Sequence, residues 1–201
     1  MIYGTHNTMT YLKPRKWWMW LFNWTAKCQS ITLYEQANKY NVRMFDMRVR
    51  FRNGRPILAH GLVEYDVVDA WDMDDFLSNY AEQHPNEEFY CRVTLENTFM
   101  RENTYWDQIQ KFKEFCYLLE INAPKNLHYV GGWQKLDFTK VYSFNTPQPD
   151  MYGNHASCSK YKIVQLWPWI YAKLHNKETH KKGTDKQVLM MDFIQMGYDK
   201  H

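Results

Sequence analysis

Apolar and polar residues alternate along two segments of the chain, and this alternation predicts strands with one apolar face and one charged face. Side chains in a strand point alternately to its two faces. In RMFDMRVR, Phe45 and Met47 therefore fall on one face, while Asp46 and Arg48 fall on the other. The segment FYCRVTLE shows the same division. Both segments are predicted to be strands of one sheet.

Apolar residues spaced three and four positions apart predict helices between these strands. Around Met73 this spacing is clear, and Asp69 or Asp72 is the predicted N-cap. The predicted strands cover residues 2–5, 43–50, 56–60, 89–96, 127–131, 161–166 and 187–193, and the predicted helices cover residues 32–41, 68–83, 104–120 and 168–176. Turn-forming residues run throughout the stretch 137–160, which is predicted to be a long loop.

Strands and helices alternate in this prediction, which is typical of a parallel α/β sheet. Both faces of such strands are normally apolar, so the charged faces need an explanation. A barrel supplies one, because its inward face is separate from the face that the helices cover. We therefore expect an α/β fold, a compact TIM-type (β/α) barrel. We expect it to be a single domain over residues 1–201, incomplete or irregular because the chain is short for this fold.

Composition favours a globular protein. Hydrophobic residues make up 45% and aromatic residues 17% of the chain, which is too much for a disordered one. The net charge of +3 is too small to predict a nucleic-acid partner. The four cysteines form no CxxC pair, so we expect buried thiols. No leader precedes the first strand, so we expect a cytoplasmic protein if the chain is complete and a secreted one if a leader was removed.

Two histidines lie in distinctive motifs. His6 lies in GTHNT after the first predicted strand, and His60 closes the apolar run PILAH. Together with Asp46 and Arg48 they provide two imidazoles, a carboxylate and a guanidinium, a set that suits phosphoryl transfer. We expect structural roles for five other histidines, namely His84, His128, His155, His175 and His180.

These motifs resemble the phosphatidylinositol-specific phospholipases C. The resemblance runs through GTHNTMTY, EQANKYNVRMFDMRVRF, PILAHG and DDFLSNYAEQHPNEEFYCRVTLEN, about the first half of the chain, and KQVLMMDFI near the end is similar as well. It implies a barrel phosphodiesterase that cleaves an inositol phospholipid, or a related phosphodiester, through a cyclic phosphate. The likeness is nearer to the bacterial, metal-independent members.

The resemblance also implies roles for individual residues. His6 would be the general base that takes a proton from the inositol 2-hydroxyl, and His60 would be the general acid for the departing alkoxide. Arg48 would bind the nonbridging phosphate oxygens as charge develops on them. Asp192 would orient an imidazole and favour its charged form.

Three positions combine features of different branches of this family. Bacterial members have an aspartate where this chain has Asn7, whereas eukaryotic members have a calcium-binding asparagine there; Glu96 looks eukaryotic and Arg48 looks bacterial. Calcium prefers six to eight oxygen ligands, and a guanidinium would repel it. We therefore expect no cofactor, with calcium bound by Asn7, Asp46 and Glu96 as the alternative. Without a metal, Asp46 joins the catalytic set, and Asn7, Glu96 and Arg92 bind substrate.

The segment KWWMWLFNW, residues 16–24, is unusually aromatic. It is too short to cross a bilayer, which takes about 20 apolar residues. It either rests at a lipid headgroup interface or packs as a lid on the barrel end. Peripheral membrane contact from Lys16 to Trp24 is therefore one expectation about partners. Trp167 and Trp169 are expected to be core residues or site walls.

Two other functions stay open at this point. A barrel with histidines and carboxylates also suits a metal-dependent phosphodiesterase of the glycerophosphodiester type, which metal dependence would distinguish. The departure at Asn7 leaves open a catalytically impaired barrel that serves as a binding module. Such a module would release no product from a phosphodiester.

Overall fold

A computed structural model describes residues 1–96, 102–131 and 142–198. The strands in these ranges are β1 (Ile2–Thr5), β2 (Val42–Arg52), β3 (Arg55–His60), β4 (Val63–Asp69), β5 (Phe89–Leu95), β6 (Leu127–Gly131), β7 (Met151–Asn154) and β8 (Val188–Met191). The helices are α1 (Asn23–Ala26), α2 (Leu33–Lys39), α3 (Ala70–Gln83), α4 (Glu102–Asn122), α5 (Lys162–Gln165) and α6 (Pro168–Lys182), and 3-10 turns cover Trp17–Leu21 and Ala156–Cys158.

One curled sheet contains all of these strands. Six of them run parallel in the order β7, β8, β1, β2, β5, β6. β3 and β4 extend the sheet antiparallel from the later half of β2. Within the described ranges β6 and β7 do not pair with each other, so the sheet is a half-barrel. The predicted α/β fold of an incomplete TIM-type barrel is confirmed.

The interior of the half-barrel has an apolar layer below a polar one. Met44, Val130, Val188 and Met190 form a small buried cluster that is separate from the main core. Gly4 makes this packing possible, because a Cβ atom there would lie 3.1 Å from Cγ1 of Val188. The opposite face of the sheet packs against helices in the main core. Polar residues further along the strands therefore face a small enclosed space.

Local signals set the ends of several elements. Asp69 is the N-cap of α3, as predicted, and its side chain accepts hydrogen bonds from the backbone N–H groups of Trp71 and Asp72. Asn53 and Gly54 connect β2 to β3 with φ angles of 50° and 79°. These left-handed conformations are typical of the Asn-Gly hairpin turn.

Three predictions about secondary structure are wrong. The segment 161–166 forms helix α5 and not a strand, and its apolar residues Ile163 and Leu166 lie one helical turn apart and exposed. Residues 151–154, in the predicted loop, form β7 because they pair with β8; residues 137–141 lie outside the described ranges. β4 was not predicted, since its pattern continues into the helix that follows.

Candidate active site

Strand register brings His6 and Asp192 together. Thr5 pairs with Met191 across β1 and β8, so the residues that follow each of them are neighbours. Nδ1 of His6 lies 2.7 Å from Oδ1 of Asp192, and both side chains are buried. The other oxygen of Asp192 accepts the backbone N–H of Ala156 at 2.8 Å. This second bond fixes the carboxylate and therefore the orientation of the imidazole.

Asp46 is held by two guanidiniums. It lies directly opposite Arg92 in the register of β2 and β5, and Arg92 binds it with two bonds, Nε to Oδ1 at 2.9 Å and Nη2 to Oδ2 at 2.8 Å. Arg48 adds a bond from Nε to Oδ2 at 3.2 Å. Burial alone would raise the pKa of Asp46, but the two arginines lower it well below its ordinary value. The role of Asp46 here is to position cations.

Arg48 also determines which ring nitrogen of His6 carries the hydrogen. Its Nη2 lies 2.8 Å from Nε2 of His6, and an arginine only donates, so Nε2 accepts and Nδ1 carries the hydrogen toward Asp192. Burial, the neighbouring His155 and Arg48 lower the pKa of His6 well below 6.5. Burial raises the pKa of Asp192 to about 7. The geometry favours a neutral imidazole paired with an ionised carboxylate.

His60 faces His6 from the end of β3. Their ring centroids are 5.9 Å apart and the ring planes are 81° from parallel. Nδ1 of His60 donates to the carbonyl of Ala26 at 2.7 Å, which leaves Nε2 as the nitrogen available for proton transfer. Burial and the nearby Arg48 lower the pKa of His60, while Glu96 opposes this shift.

The amide of Asn7 lies between the two imidazoles. Its Nδ2 is 3.2 Å from Nε2 of His6 and 3.1 Å from Nε2 of His60. The backbone has a φ of 46°, which asparagine tolerates, and its N–H donates to Asp46 at 3.0 Å. Among the described residues, Oδ1 of Asn7 is buried without a hydrogen-bond partner. The amide therefore bridges the histidines but adds no charge.

The proposed calcium ligands do not fit a calcium ion. Both carboxylate oxygens of Asp46 are bound by Arg92, and one of them also by Arg48. Glu96 lies 3.9 Å from Arg48, so the guanidinium stands among the three candidate ligands. The unpartnered Oδ1 of Asn7 is one available oxygen, whereas calcium takes six to eight.

Sequence reasoning missed His155. Its ring stacks on His6 with centroids 4.1 Å apart and planes 14° from parallel. Gly153, two residues earlier, makes room for it, because a Cβ atom there would lie 3.0 Å from Nε2 of His155 and 2.7 Å from Sγ of Cys158. Burial and the cations Arg92 and Arg48 lower the pKa of His155 to about 3. In the sequence His155 lies in the stretch that is predicted to be a long loop. The pairing of β7 with β8, which positions it, has no clear signal there.

Cys28 lies beneath the histidines. It is buried with His6 and Asp192, and one ligand atom from each of these three residues lies within 4.8 Å of the others. A thiol, an imidazole and a carboxylate suit zinc better than calcium. Burial raises the pKa of Cys28 well above its ordinary value, so the thiol is protonated. Cys91 and Cys116 are also buried, as expected, whereas Cys158 is exposed.

Exposed aromatic and aliphatic side chains lie beside the site and form what we call the aromatic face. Its large exposed members are Trp17, Trp20, Leu21, Phe22, Trp24, Ile163, Leu166, Trp167 and Trp169. The rings of Trp24 and Trp167 are in contact, with centroids 4.7 Å apart, so the two chain segments form one surface. Trp167 and Trp169 were expected to be core residues or site walls; their exposure excludes the core, and a role as site walls stays a prediction. Ala26 follows Trp24 closely in the chain, and its backbone carbonyl accepts a hydrogen bond from His60. This bond connects the aromatic face to the site.

Comparison with known structures identifies the same fold in an enzyme of Staphylococcus aureus. A double mutant of its phosphatidylinositol-specific phospholipase C aligns with a TM-score of 0.59 at 14% identity, over 99% of this chain and 86% of that one. A single mutant gives 0.59 at 15% identity, with the same coverage. A structure concerned with the modulation of its membrane binding gives 0.54 at 14%, over 99% and 87%. No protein-family model and no curated protein sequence matches the chain. At these identities the likeness establishes the fold.

Proposed function

We propose that this protein is a phosphodiesterase of the phospholipase C type that cleaves an inositol phospholipid without a metal ion. One observation carries the proposal. The imidazoles of His6 and His60 face each other 5.9 Å apart, and the guanidinium of Arg48 lies 2.8 Å from Nε2 of His6. This arrangement places a proton acceptor, a second imidazole and a permanent positive charge around one point. The shared barrel fold agrees with this reaction class.

His6 would act as the general base. With Nδ1 donating to Asp192, the lone pair of Nε2 points at Arg48. A substrate hydroxyl that donates to Nε2 would replace this contact and make Nη2 of Arg48 available to the phosphate, while Nε of Arg48 stays bound to Asp46. The hydroxyl oxygen then bonds to phosphorus as its proton moves to His6, and Asp192 stabilises the imidazolium that forms. Proton transfer of this kind is worth roughly 100- to 10,000-fold in rate.

His60 would act as the general acid. Its Nδ1 is held by the carbonyl of Ala26, so Nε2 delivers the proton to the leaving alkoxide as the phosphorus–oxygen bond to the lipid breaks. Its lowered pKa disfavours the charged form in the free protein. An anionic phosphodiester beside the ring opposes that effect, because an opposite charge favours the imidazolium. Substrate binding would therefore favour the protonated form of His60, which a general acid requires.

Arg48 would stabilise the charge that develops on the nonbridging oxygens. It is anchored by Asp46, which Arg92 also holds, so the guanidinium is oriented before substrate binds. A preorganised donor of this kind costs little reorganisation during the reaction. The same cation argues against the metal-dependent alternative, since a divalent ion would have to displace it from Asp46.

The substrate class follows from the aromatic face. Trp17 is 80% exposed and Trp167 is 43% exposed, and this surface is connected to His60 through the carbonyl of Ala26. Tryptophan rings favour the headgroup region of membranes. Lys16 and Lys27 flank the first segment and would meet anionic lipid. No helix in the described part of the chain is long and apolar enough to cross a membrane. We infer peripheral contact that gives access to a phospholipid headgroup.

Product analysis tests the proposal. The protein is incubated with phosphatidylinositol vesicles, and water-soluble products are followed by phosphorus NMR with and without a calcium chelator. The expected product is a five-membered cyclic inositol phosphate, released at the same rate in both samples. Turnover that vanishes on chelation supports the metal-dependent class instead. Vesicle binding with no release of product supports the binding module, in which the Asn7 amide simply joins two histidines.

A further inference from the structure

Three buried side chains in the candidate site supply the donor set of a zinc site. They are His6, Cys28 and Asp192, and one ligand atom from each lies within 4.8 Å of the other two. We call these three residues the thiol cluster. The proposed mechanism uses His6 and Asp192 but assigns no role to Cys28. Arg48, which contacts His6, has a side chain that is 22% exposed, so solvent lies close to the cluster.

Cys28 lies among polar groups, whereas two other buried cysteines do not. Nδ2 of Asn7 donates to its Sγ at 3.5 Å, and Nδ1 of His60 lies 3.9 Å from the same sulfur. Cys91 and Cys116 belong to the main apolar core. A buried cysteine usually behaves as a small apolar side chain, which describes those two residues. The polar surroundings of Cys28 favour a role as a ligand instead.

The spacing of the thiol cluster suits a tetrahedral zinc ion. Zinc binds nitrogen and oxygen at roughly 2.0 to 2.2 Å and sulfur at roughly 2.3 Å, which separates its ligand atoms by about 3.3 to 3.6 Å. Nδ1 of His6 and Oδ1 of Asp192 are 2.7 Å apart, so this pair would open by about 0.6 Å. The other oxygen of Asp192 can keep its bond to the backbone N–H of Ala156. Small side-chain movements therefore bring the three ligand atoms to bonding distance.

The charges of the thiol cluster suit zinc as well. A thiolate and a carboxylate together neutralise a divalent ion, so Arg48 does not repel the complex that forms. The calcium ligands differ in this respect, because Arg92 and Arg48 already neutralise Asp46. Burial raises the pKa of the Cys28 thiol, but a metal ion displaces the proton from a thiol that it binds.

Asn7 can complete the coordination. Among the described residues its Oδ1 is buried without a hydrogen-bond partner. Turning the amide by half a rotation exchanges Oδ1 with Nδ2, the atom that lies 3.5 Å from Sγ of Cys28. This separation is the one expected for an oxygen and a sulfur that share a tetrahedral zinc ion. An amide oxygen is a weak zinc ligand, so chelators should remove the ion readily.

We propose that the thiol cluster binds a zinc ion reversibly and that the bound ion inhibits the reaction. The inhibitory part rests on the proposed function, because it acts through His6 as the general base. When zinc binds Nδ1, the single hydrogen of the neutral imidazole lies on Nε2, which then cannot accept a proton from a substrate hydroxyl. When zinc binds Nε2, it takes up that lone pair itself. In both cases the thiol proton passes to solvent as the zinc–sulfur bond forms.

Cobalt(II) spectroscopy tests the binding step without reference to activity. Cobalt(II) accepts the same tetrahedral ligands as zinc and binds them more weakly, and a thiolate bound to it gives an intense near-ultraviolet absorption band. The protein is freed of metal with a chelator and titrated with cobalt(II) and then with zinc. We expect a thiolate band that saturates at one ion per chain and disappears when zinc is added. A native protein without this band would overturn the inference.

Two cysteine variants locate the bound metal. Cys28→Ala should abolish the band. Cys158→Ala is the matched control, because Cys158 lies 3.3 Å from Nε2 of His155, whose ring stacks on His6, and should keep the band. A band that is lost in Cys158→Ala and kept in Cys28→Ala would place the metal elsewhere and overturn the inference. If Cys28→Ala does not fold, Cys28→Ser replaces it, since the hydroxyl preserves the size of the side chain.

Inhibition is measured as the free zinc concentration, fixed by a metal buffer, that halves the turnover of phosphatidylinositol. Each variant is compared with its own rate in the absence of zinc. We expect this concentration to rise by roughly 100-fold or more in Cys28→Ala, because changing a residue that only orients a ligand already costs roughly 10- to 100-fold in affinity. Cys158→Ala should be inhibited like the native protein.

The two readouts separate this inference from the proposed function. A cobalt band in a protein that never turns over phosphatidylinositol would support the metal site and contradict the proposed function. Metal-free turnover that zinc does not inhibit would overturn the inference and leave the proposed function in place.

Discussion

Nδ1 of His6 lies 2.7 Å from Oδ1 of Asp192, although 186 residues separate them in the chain. The pair exists because β1 and β8 are neighbours in the sheet and both strands end at the same level. An imidazole held in this way presents its other nitrogen to the barrel interior. The carboxylate supplies both orientation and charge.

Replacing Asp192 with asparagine should lower kcat by roughly 100- to 10,000-fold, because the amide cannot stabilise the imidazolium that forms on His6. Steady-state kinetics on phosphatidylinositol vesicles measures this change. Asp150→Asn is the control, since Asp150 pairs with Lys186 at the surface, outside the site. A loss no greater than in this control would remove Asp192 from the mechanism.

Arg48→Lys should lower kcat/KM by roughly 100- to 1,000-fold while the positive charge is kept. A lysine has a single ammonium group and cannot bind Asp46 and His6 with the spacing of a guanidinium. Arg43→Lys makes the same change on the same strand, at a residue whose Nε binds Glu87 at 2.5 Å. Equal activity of the two variants would contradict a specific role for Arg48.

The pairing of these side chains could be predicted in part from the sequence. Alternation in β2 places Asp46 and Arg48 on one face, and the motifs GTHNT and PILAH single out both histidines. In the structure contacts connect all eight predicted site residues into one cluster, and their roles stay predictions. The register of the strands cannot be read from the sequence. It places Asp46 opposite Arg92, and it pairs the residue before His6 with Met191.

His155 shows where sequence reasoning ends. Its position depends on four residues of β7 that pair with β8, a contact between segments almost 40 residues apart. A strand this short has too few positions for alternation to be recognised. The aromatic face has the same origin, because Trp24 and Trp167 are far apart in the chain and are brought into contact by the fold.

His155 should make the protein less stable at acid pH. Its folded pKa of about 3 is far below the value of about 6.5 for an unfolded histidine. The unfolded chain therefore binds the extra proton, so this contribution to stability is complete above pH 6.5 and is lost as the pH falls toward 3. Between pH 7 and pH 5, His155→Phe should reduce the fall in unfolding free energy by about 2 kcal/mol.

Urea denaturation at the two pH values measures this difference. Phenylalanine keeps a ring stacked on His6 but removes the group that binds the proton. His175→Gln removes an exposed histidine on α6 and should leave the pH dependence as it is in the native protein. A His155→Phe variant with the native slope would contradict the assignment.

Trp17→Ala with Trp20→Ala should weaken binding to phospholipid vesicles by roughly tenfold or more, because burial of each ring in the headgroup region contributes to binding. Both side chains are more than half exposed. Tyr117→Ala, at an exposed position on α4, is the control. Vesicle sedimentation checks the result, and undiminished binding would leave the aromatic face without a membrane role.

His6 as general base and His60 as general acid would respond in opposite ways to a better leaving group, so leaving-group chemistry distinguishes their roles. His6→Ala and His60→Ala are compared on phosphatidylinositol and on an inositol phosphate ester with a nitrophenol leaving group. Nitrophenolate leaves without protonation, so a missing general acid matters little for it. We predict that His60→Ala loses at least roughly 100-fold on the lipid but recovers most of its rate on the nitrophenyl ester, while His6→Ala is slow on both. Equal losses of the two variants on both substrates would contradict the account.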